Sequence, residues 1–174
     1  MVIMIAGASH TGKTNLAQKL LETYHYPYLS IDHLKMGLIR SGNTDLTPVD
    51  DEALVGYLWP IVREMIKTAI ENHQNLIVEG CYIPFDWEKD FPEAYRAQIR
   101  YLCLIFSKDY ITHHFDAVVA NGSVIEKRLD DTGLSKTELI CDNEKNLREC
   151  ESRGLPYVLI HDAYDVKMLL EHLS

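Results

Sequence analysis

Apolar positions along this chain follow two rhythms. Short apolar runs at residues 2–6, 26–31, 75–80, 99–106 and 156–161 are rich in Val, Ile and Leu, and all but 99–106 carry a glycine or proline within or beside them. Their length and flanks favour buried strands over helices. Between them the spacing becomes helical. Leu16, Ala17, Leu20 and Leu21 follow Lys13, and residues 48–73 carry Leu54, Tyr57, Leu58, Ile61, Val62, Met65, Ile66, Ala69 and Ile70. Residues 108–120, 135–153 and 162–173 continue in the same way, with Asn121-Gly122 as a break and Gly154 as a C-cap. Pro60 lies inside the long helical stretch and predicts a kink or a break there. Asp32 reads as the cap of a short helix, residues 41–51 as a polar loop, and residues 84–97 as irregular and then helical. Strands alternating with helices imply an α/β fold whose five parallel strands are joined by right-handed crossovers, with helices on both faces. No repeat, low-complexity tract or linker interrupts the pattern, so residues 1–174 read as a single domain.

Charge narrows the classes of partner. Seventeen Lys and Arg against 26 Asp and Glu leave a net charge of −9. Such a surface repels phosphate backbones over long range, so nucleic acid is not an expected partner. No stretch approaches the roughly 18 apolar residues that a membrane helix needs, and no secretory leader is recognisable, so no membrane association is expected. Cys81, Cys103, Cys141 and Cys150 form no CxxC pair and read as reduced thiols in a cytoplasmic protein.

The chemistry concentrates near the start of the chain. Gly7-Ala8-Ser9-His10-Thr11-Gly12-Lys13-Thr14 fits G-x-x-x-x-G-K-[ST] at every position, after a predicted strand and before a predicted helix. Glycines let backbone N–H groups turn inward, and with the positive end of the following helix they form an anion nest. Gly7, Ser9, His10, Thr11, Gly12, Lys13 and Thr14 are therefore the expected nucleotide-binding residues. Lys13 would bridge the β- and γ-phosphates and Thr14 would offer its hydroxyl to Mg²⁺. No Asn-Lys-x-Asp base reader of the switch GTPases is present, and 174 residues leave little room for the extra regions of most motor ATPases. A compact ATP- and Mg²⁺-dependent kinase is favoured.

The chain resembles the small P-loop kinases of the adenylate kinase-like, nucleoside kinase and zeta-toxin group. Three anchors carry the resemblance over nearly the whole length: the phosphate loop, Ser30-Ile31-Asp32-His33-Leu34-Lys35, and Leu76-Ile77-Val78-Glu79-Gly80. The second and third look most like 2-phosphoglycerate kinase-like and uridine kinase-like members. The resemblance implies a three-layer αβα sandwich with strand order 2-3-1-4-5 and a small helical lid at about residues 108–133. It also implies phosphoryl transfer from ATP to a nucleoside, a nucleotide or a small anionic metabolite. Asp32 becomes the candidate general base for the acceptor hydroxyl, and Arg128, the one arginine between Arg100 and Arg148, the candidate lid cation.

Each of these residues also has a structural reading. Asp32 fits a helix cap, and Arg128 fits a salt bridge with Glu126, Asp130 or Asp131. Glu79 ends an apolar strand, where a charge is costly without a partner. It reads as a catalytic residue acting as base, as a ligand for Mg²⁺-bound water, as an acceptor contact, or as a buried paired carboxylate. Lys35 and Arg40 fit either an anionic acceptor or a solvated helix face, and Tyr82 fits either acceptor binding or core packing. His113-His114 lacks a third ligand at suitable spacing and is not read as a metal site. A nucleotide-binding regulatory protein with little transfer is the alternative function, and a kinase of nucleic-acid ends a weaker third. Oligomeric state is not legible.

Overall fold

The computed structural model describes residues 1–121 and 135–171. In chain order the elements are β1 (Val2–Gly7), α1 (Lys13–Tyr24), β2 (Tyr28–Ser30), α2 (Ile31–Arg40), α3 (Asp51–Glu71) and β3 (Leu76–Glu79). A 3₁₀ turn (Trp87–Asp90) and the one-turn helix α4 (Glu93–Arg96) lead into β4 (Ile99–Phe106). α5 (Lys108–Asn121), α6 (Lys136–Arg153), β5 (Tyr157–Ile160) and α7 (Val166–Glu171) follow. The five strands form one all-parallel sheet in the order β2-β3-β1-β4-β5.

β1 shows why the sheet is central. All six of its residues are buried, and they alternate between two cores. Val2, Met4 and Ala6 pack with α3 and the aromatic group Trp59, Trp87, Phe91 and Tyr101. Ile3 and Ile5 pack on the other face with Leu16, Ala17 and Leu20 of α1, Ile111 and Val118 of α5, and Leu169 of α7. A strand covered on both faces needs apolar side chains at every position, which is why these runs lack the alternation of a half-exposed strand. The residues of β4 divide between the same two cores.

Several boundaries differ from the sequence expectation. β2 is three residues long rather than six. α2 starts at Ile31 with Ser30 at its N-cap, so Asp32 lies in the first turn rather than at the cap. α3 starts at Asp51, because the Asp50 carboxylate folds back to accept from the Thr47 N–H and hydroxyl at 2.7 Å each and holds residues 47–50 in a turn. α3 also runs through Pro60 without a break. Only the hydrogen bond that a residue-60 N–H would make is lost, while Leu54, Leu58, Val62, Ile66 and Ile70 stay buried along one face. α5 departs from helical geometry at His114, with φ −121° and ψ 18°. α7 starts only at Val166, leaving Tyr164 outside the helix.

Candidate functional site

In a parallel sheet every strand points the same way, so the ends of β1, β2 and β3 meet at one edge. Ile5 and Ser30 both pair in register with Glu79. The glycine loop, the start of α2 and the Glu79-Gly80-Cys81-Tyr82 segment therefore converge there. Ligands of open α/β sheets bind at this carboxyl edge.

The loop between β1 and α1 is built for close backbone approach. Gly7 has φ 143°, and a Cβ there would lie 2.5 Å from the Leu104 carbonyl oxygen. Gly12 has φ 81°, and a Cβ there would lie 2.6 Å from the Tyr164 ring. His10 takes φ 63° and is nearly buried, an uncommon backbone for a non-glycine residue. Inside the loop the Ala8 carbonyl accepts from Thr11 Oγ1 at 2.9 Å and from Lys13 Nζ at 2.7 Å. Lys13 is buried, so its ammonium is held over the loop rather than in bulk water. Thr14 occupies the first turn of α1 directly after it.

Two side chains from the far end of the chain brace this loop, and a third holds the end of β4. Tyr164 donates from its hydroxyl to the Gly12 carbonyl at 2.7 Å, and its ring meets Phe106 edge-on at 6.5 Å. Burial pushes the Tyr164 hydroxyl well above its ordinary pKa. Asn146 of α6, its amide oriented to satisfy both neighbours, accepts from the Ala8 N–H at 2.9 Å and donates to the Asp142 carbonyl at 3.3 Å. One turn earlier, buried Asn143 accepts from the Phe106 N–H and donates to the Leu139 carbonyl, both at 2.8 Å. None of the three belongs to a local motif. A polar residue on the buried stripe of a helix was the only available signal for Asn143, and nothing marked Tyr164 or Asn146.

Across the edge, α2 and the segment after β3 form a chain of polar contacts. Asp32 Oδ1 pairs with Lys35 Nζ at 2.7 Å. Lys35 Nζ also donates to the Tyr82 hydroxyl at 2.9 Å and lies 5.0 Å from that ring's centroid. The Tyr82 hydroxyl in turn donates to Asp51 Oδ1 at 2.8 Å, at the first residue of α3. Burial, the adjacent Cys81 thiol and the neighbouring Asp51 and Asp32 carboxylates push the Tyr82 hydroxyl far up, so it stays protonated. Glu79 is buried at the end of β3. Cys81 is open to solvent but ringed by protein. That burial, with Asp32 and Asp51, raises its thiol against the opposing pull of Lys13 and Lys35.

Lys13, in the first turn after the β1 loop, and Asp32, Lys35 and Tyr82, after β2 and β3, thus follow strands that end at the same edge of the sheet. Arg40 is not brought to this cluster. It is exposed and lies eight residues beyond Asp32 on α2, about 12 Å along the axis at the usual helical rise. Arg128 and most of the expected lid lie outside the described residues. His113 turns its Nδ1 to the Asp109 carbonyl at 2.8 Å, and His114 packs on the Tyr110 ring at 4.8 Å. Among the described residues no three His, Cys, Asp or Glu side chains form a metal-holding group. The donor set still fits Mg²⁺, which typically takes one or two protein oxygens and completes its shell with phosphates and water. A backbone cradle that excludes Cβ atoms, with a buried lysine above it, fits a polyphosphate.

No family model matches the sequence, and no curated protein does. Solved structures do match. One is a protein from Chloroflexus aurantiacus assigned as a kinase, at 18% identity, covering 99% of this chain and 95% of that one, with a TM-score of 0.61. Another is deoxyadenosine kinase from M. mycoides, at 13% identity, covering 99% and 96%, with a TM-score of 0.60. A third is shikimate kinase from Bacteroides thetaiotaomicron, at 14% identity, covering 99% and 96%, with a TM-score of 0.54. The fold is that of the P-loop kinases. The five-stranded order 2-3-1-4-5 with helices on both faces agrees with the sequence expectation. Among the described residues no helix is long and apolar enough to cross a membrane.

Proposed function

We propose that the chain is an ATP-dependent, Mg²⁺-assisted kinase that phosphorylates a small-molecule hydroxyl in a cytoplasmic setting. What supports this reading is that the glycine loop with buried Lys13 and the Asp32–Lys35–Tyr82 cluster both follow strands that end at one edge of the sheet. A phosphate cradle with no polar cluster opposite would suit simple nucleotide binding. A cradle facing a carboxylate suits transfer.

In this reading, the backbone N–H groups from Gly7 to Lys13 and the Lys13 ammonium hold the phosphates and offset their charge. Mg²⁺, when bound, would neutralise and orient those phosphates, and Thr14, with Glu79 acting through water, would hold it. Asp32 sits at the start of α2, where a carboxylate can orient the acceptor hydroxyl and take its proton. The acceptor oxygen forms a bond to the γ-phosphorus as the bridge to the β-phosphate breaks, and ADP leaves. Arg128, outside the described residues, is the proposed cation over the transferring group. Catalysis is then positioning plus charge stabilisation.

The test is ADP release from ATP and Mg²⁺ across a panel of nucleosides, nucleotides, sugars and small organic acids. At least one acceptor is expected to raise release far above the acceptor-free rate, with Lys13→Ala and Asp32→Asn each abolishing the rise. Nucleotide binding without any acceptor-dependent turnover would instead support the regulatory alternative.

A further inference from the structure

Tyr164 reaches the phosphate loop from 152 residues away in sequence. It follows β5, and β5 ends at the same sheet edge as β1 because both run parallel to β4. The Tyr164 hydroxyl donates to the Gly12 carbonyl at 2.7 Å. That carbonyl also accepts the first hydrogen bond of α1, from the Leu16 N–H at 3.0 Å. Both lone pairs of one carbonyl are thus engaged, one by the helix and one by a distant side chain. The start of α1 needs only the first. Gly12 has φ 81° and no side chain of its own to fix the turn.

The second hydrogen bond acts on the next donor in the chain. A peptide bond is planar and trans, so the Gly12 carbonyl and the Lys13 N–H point in opposite directions across one rigid unit. Fixing the carbonyl toward Tyr164 fixes the Lys13 N–H away from it. Lys13 is the first residue of α1, so that N–H has no acceptor within the helix. Such an N–H, after a glycine loop, is a natural donor to a bound anion. A carbonyl that accepts two hydrogen bonds also polarises its peptide unit and strengthens the N–H as a donor.

The tyrosine is itself held in place. Its ring meets Phe106 edge-on at 6.5 Å, and Phe106 packs on Tyr110 at 4.6 Å. Asn143 accepts from the Phe106 N–H at 2.8 Å, which ties that residue to α6. The Tyr164 ring also covers Gly12, where a Cβ would lie 2.6 Å from it. Burial keeps the hydroxyl protonated, and therefore a donor, well above neutral pH.

We propose that Tyr164 is a positioning residue for the nucleotide phosphates. Through the Gly12 carbonyl it aims the Lys13 N–H into the phosphate cradle, and its hydroxyl serves phosphate affinity more than the fold. This rests on the nucleotide site of the kinase reading above and adds to it a residue outside the phosphate-loop motif.

The experiment measures binding of Mg²⁺–ATP and of Mg²⁺–tripolyphosphate, which lacks base and sugar, by titration calorimetry. No acceptor is needed. Tyr164→Phe keeps the ring and removes only the donor. It should weaken both ligands by the same factor, about three- to tenfold, as expected for one hydrogen bond. The ligand-free melting temperature should fall by about 4 °C or less, while the rise produced by Mg²⁺–ATP shrinks. Tyr164→Leu, which also removes the ring, should bind no more tightly than Tyr164→Phe. Unchanged affinity in Tyr164→Phe would overturn the inference and leave the nucleotide site intact. So would a loss confined to ATP, or wild-type binding of ATP without tripolyphosphate, since the hydroxyl would then act on the nucleoside. A Tyr164→Phe protein that no longer melts cooperatively would overturn it too, because the hydroxyl would then serve the fold. Failure of the wild-type protein to bind either ligand would overturn the kinase reading and the inference with it.

Discussion

At the start of α1, Gly12 carries φ 81° beneath the Tyr164 ring, so two separate constraints exclude a side chain there. An alanine at this φ costs about 1–2 kcal/mol from backbone strain alone. The ring contact adds to it, since a Cβ would lie 2.6 Å from a carbon of Tyr164. Gly12→Ala is expected to weaken nucleotide binding and lower the melting temperature. Adding Tyr164→Ala should recover only the part due to the ring, which a thermal melt with and without nucleotide would resolve. Lys13→Ala should act differently. It removes a buried ammonium whose hydrogen bond among the described residues goes to the Ala8 carbonyl, so the fold should survive. Acceptor-dependent turnover should fall by about 10²–10³-fold or more, as expected when a preorganised charge-stabilising donor is lost. Lys13 was legible because its motif is local. Tyr82 was legible as a candidate for acceptor binding or core packing, but its hydrogen bond to Asp51 was not, because it joins residues 31 apart in sequence.

The cysteines give a second test at this scale. Cys81 and Cys141 are exposed, whereas Cys103 and Cys150 are buried. A thiol reagent applied to the native protein should label the first two only. The Cys81 thiol is held above its ordinary pKa, so its thiolate is scarce at neutral pH. Its alkylation should be slow there and should keep accelerating as pH rises past the usual thiol range. Mg²⁺–ATP should protect Cys81 and leave Cys141 unchanged, as read by mass spectrometry of the labelled peptides. Equal labelling of all four thiols would contradict the burial described here.

At the scale of elements, α6 and α3 show two ways in which the reading from sequence stops short. The helical spacing and the Gly154 stop located α6, and the Ser135 side chain accepts from the Glu138 N–H as the cap. What α6 does was hidden. Asn143 and Asn146, one turn apart, reach the end of β4 and the phosphate loop respectively. Asn143→Ala would leave the Phe106 N–H buried without its acceptor. Such a loss costs about 1–3 kcal/mol, and a chain of this size loses about 2–4 °C of melting temperature per kcal/mol. Asn146→Ala likewise removes the acceptor of a buried N–H, that of Ala8, and because Ala8 lies in the phosphate loop it should also weaken nucleotide binding. In α3, Pro60 was expected to disrupt the helix, but the buried Leu54–Ile70 face holds it through. Pro60 is itself exposed. Pro60→Ala would restore an N–H toward the Gly56 carbonyl and should therefore raise the melting temperature.

Over the whole molecule, the sheet order and the location of the site followed from the strand–helix alternation together with the family resemblance. Parallel strands leave one edge on which the ends of β1, β2 and β3 converge. The Asp32–Lys35–Tyr82–Asp51 contacts did not follow, because they join side chains far apart in sequence. The overall charge of −9 adds a further consequence. A nucleotide polyanion approaching this protein is repelled at long range and attracted only by the loop and Lys13 at close range. Salt screens the first term beyond roughly 10 Å at 0.1 M and the second much less, since Lys13 is buried. The association rate of a fluorescent nucleotide, measured by stopped flow, should therefore rise as ionic strength increases from about 10 to 150 mM. A basic nucleic-acid-binding surface would give the opposite slope, with binding falling steeply as salt releases fewer counterions. A rate that falls over this range would mean that local positive charge, not the net charge, governs approach to the cleft.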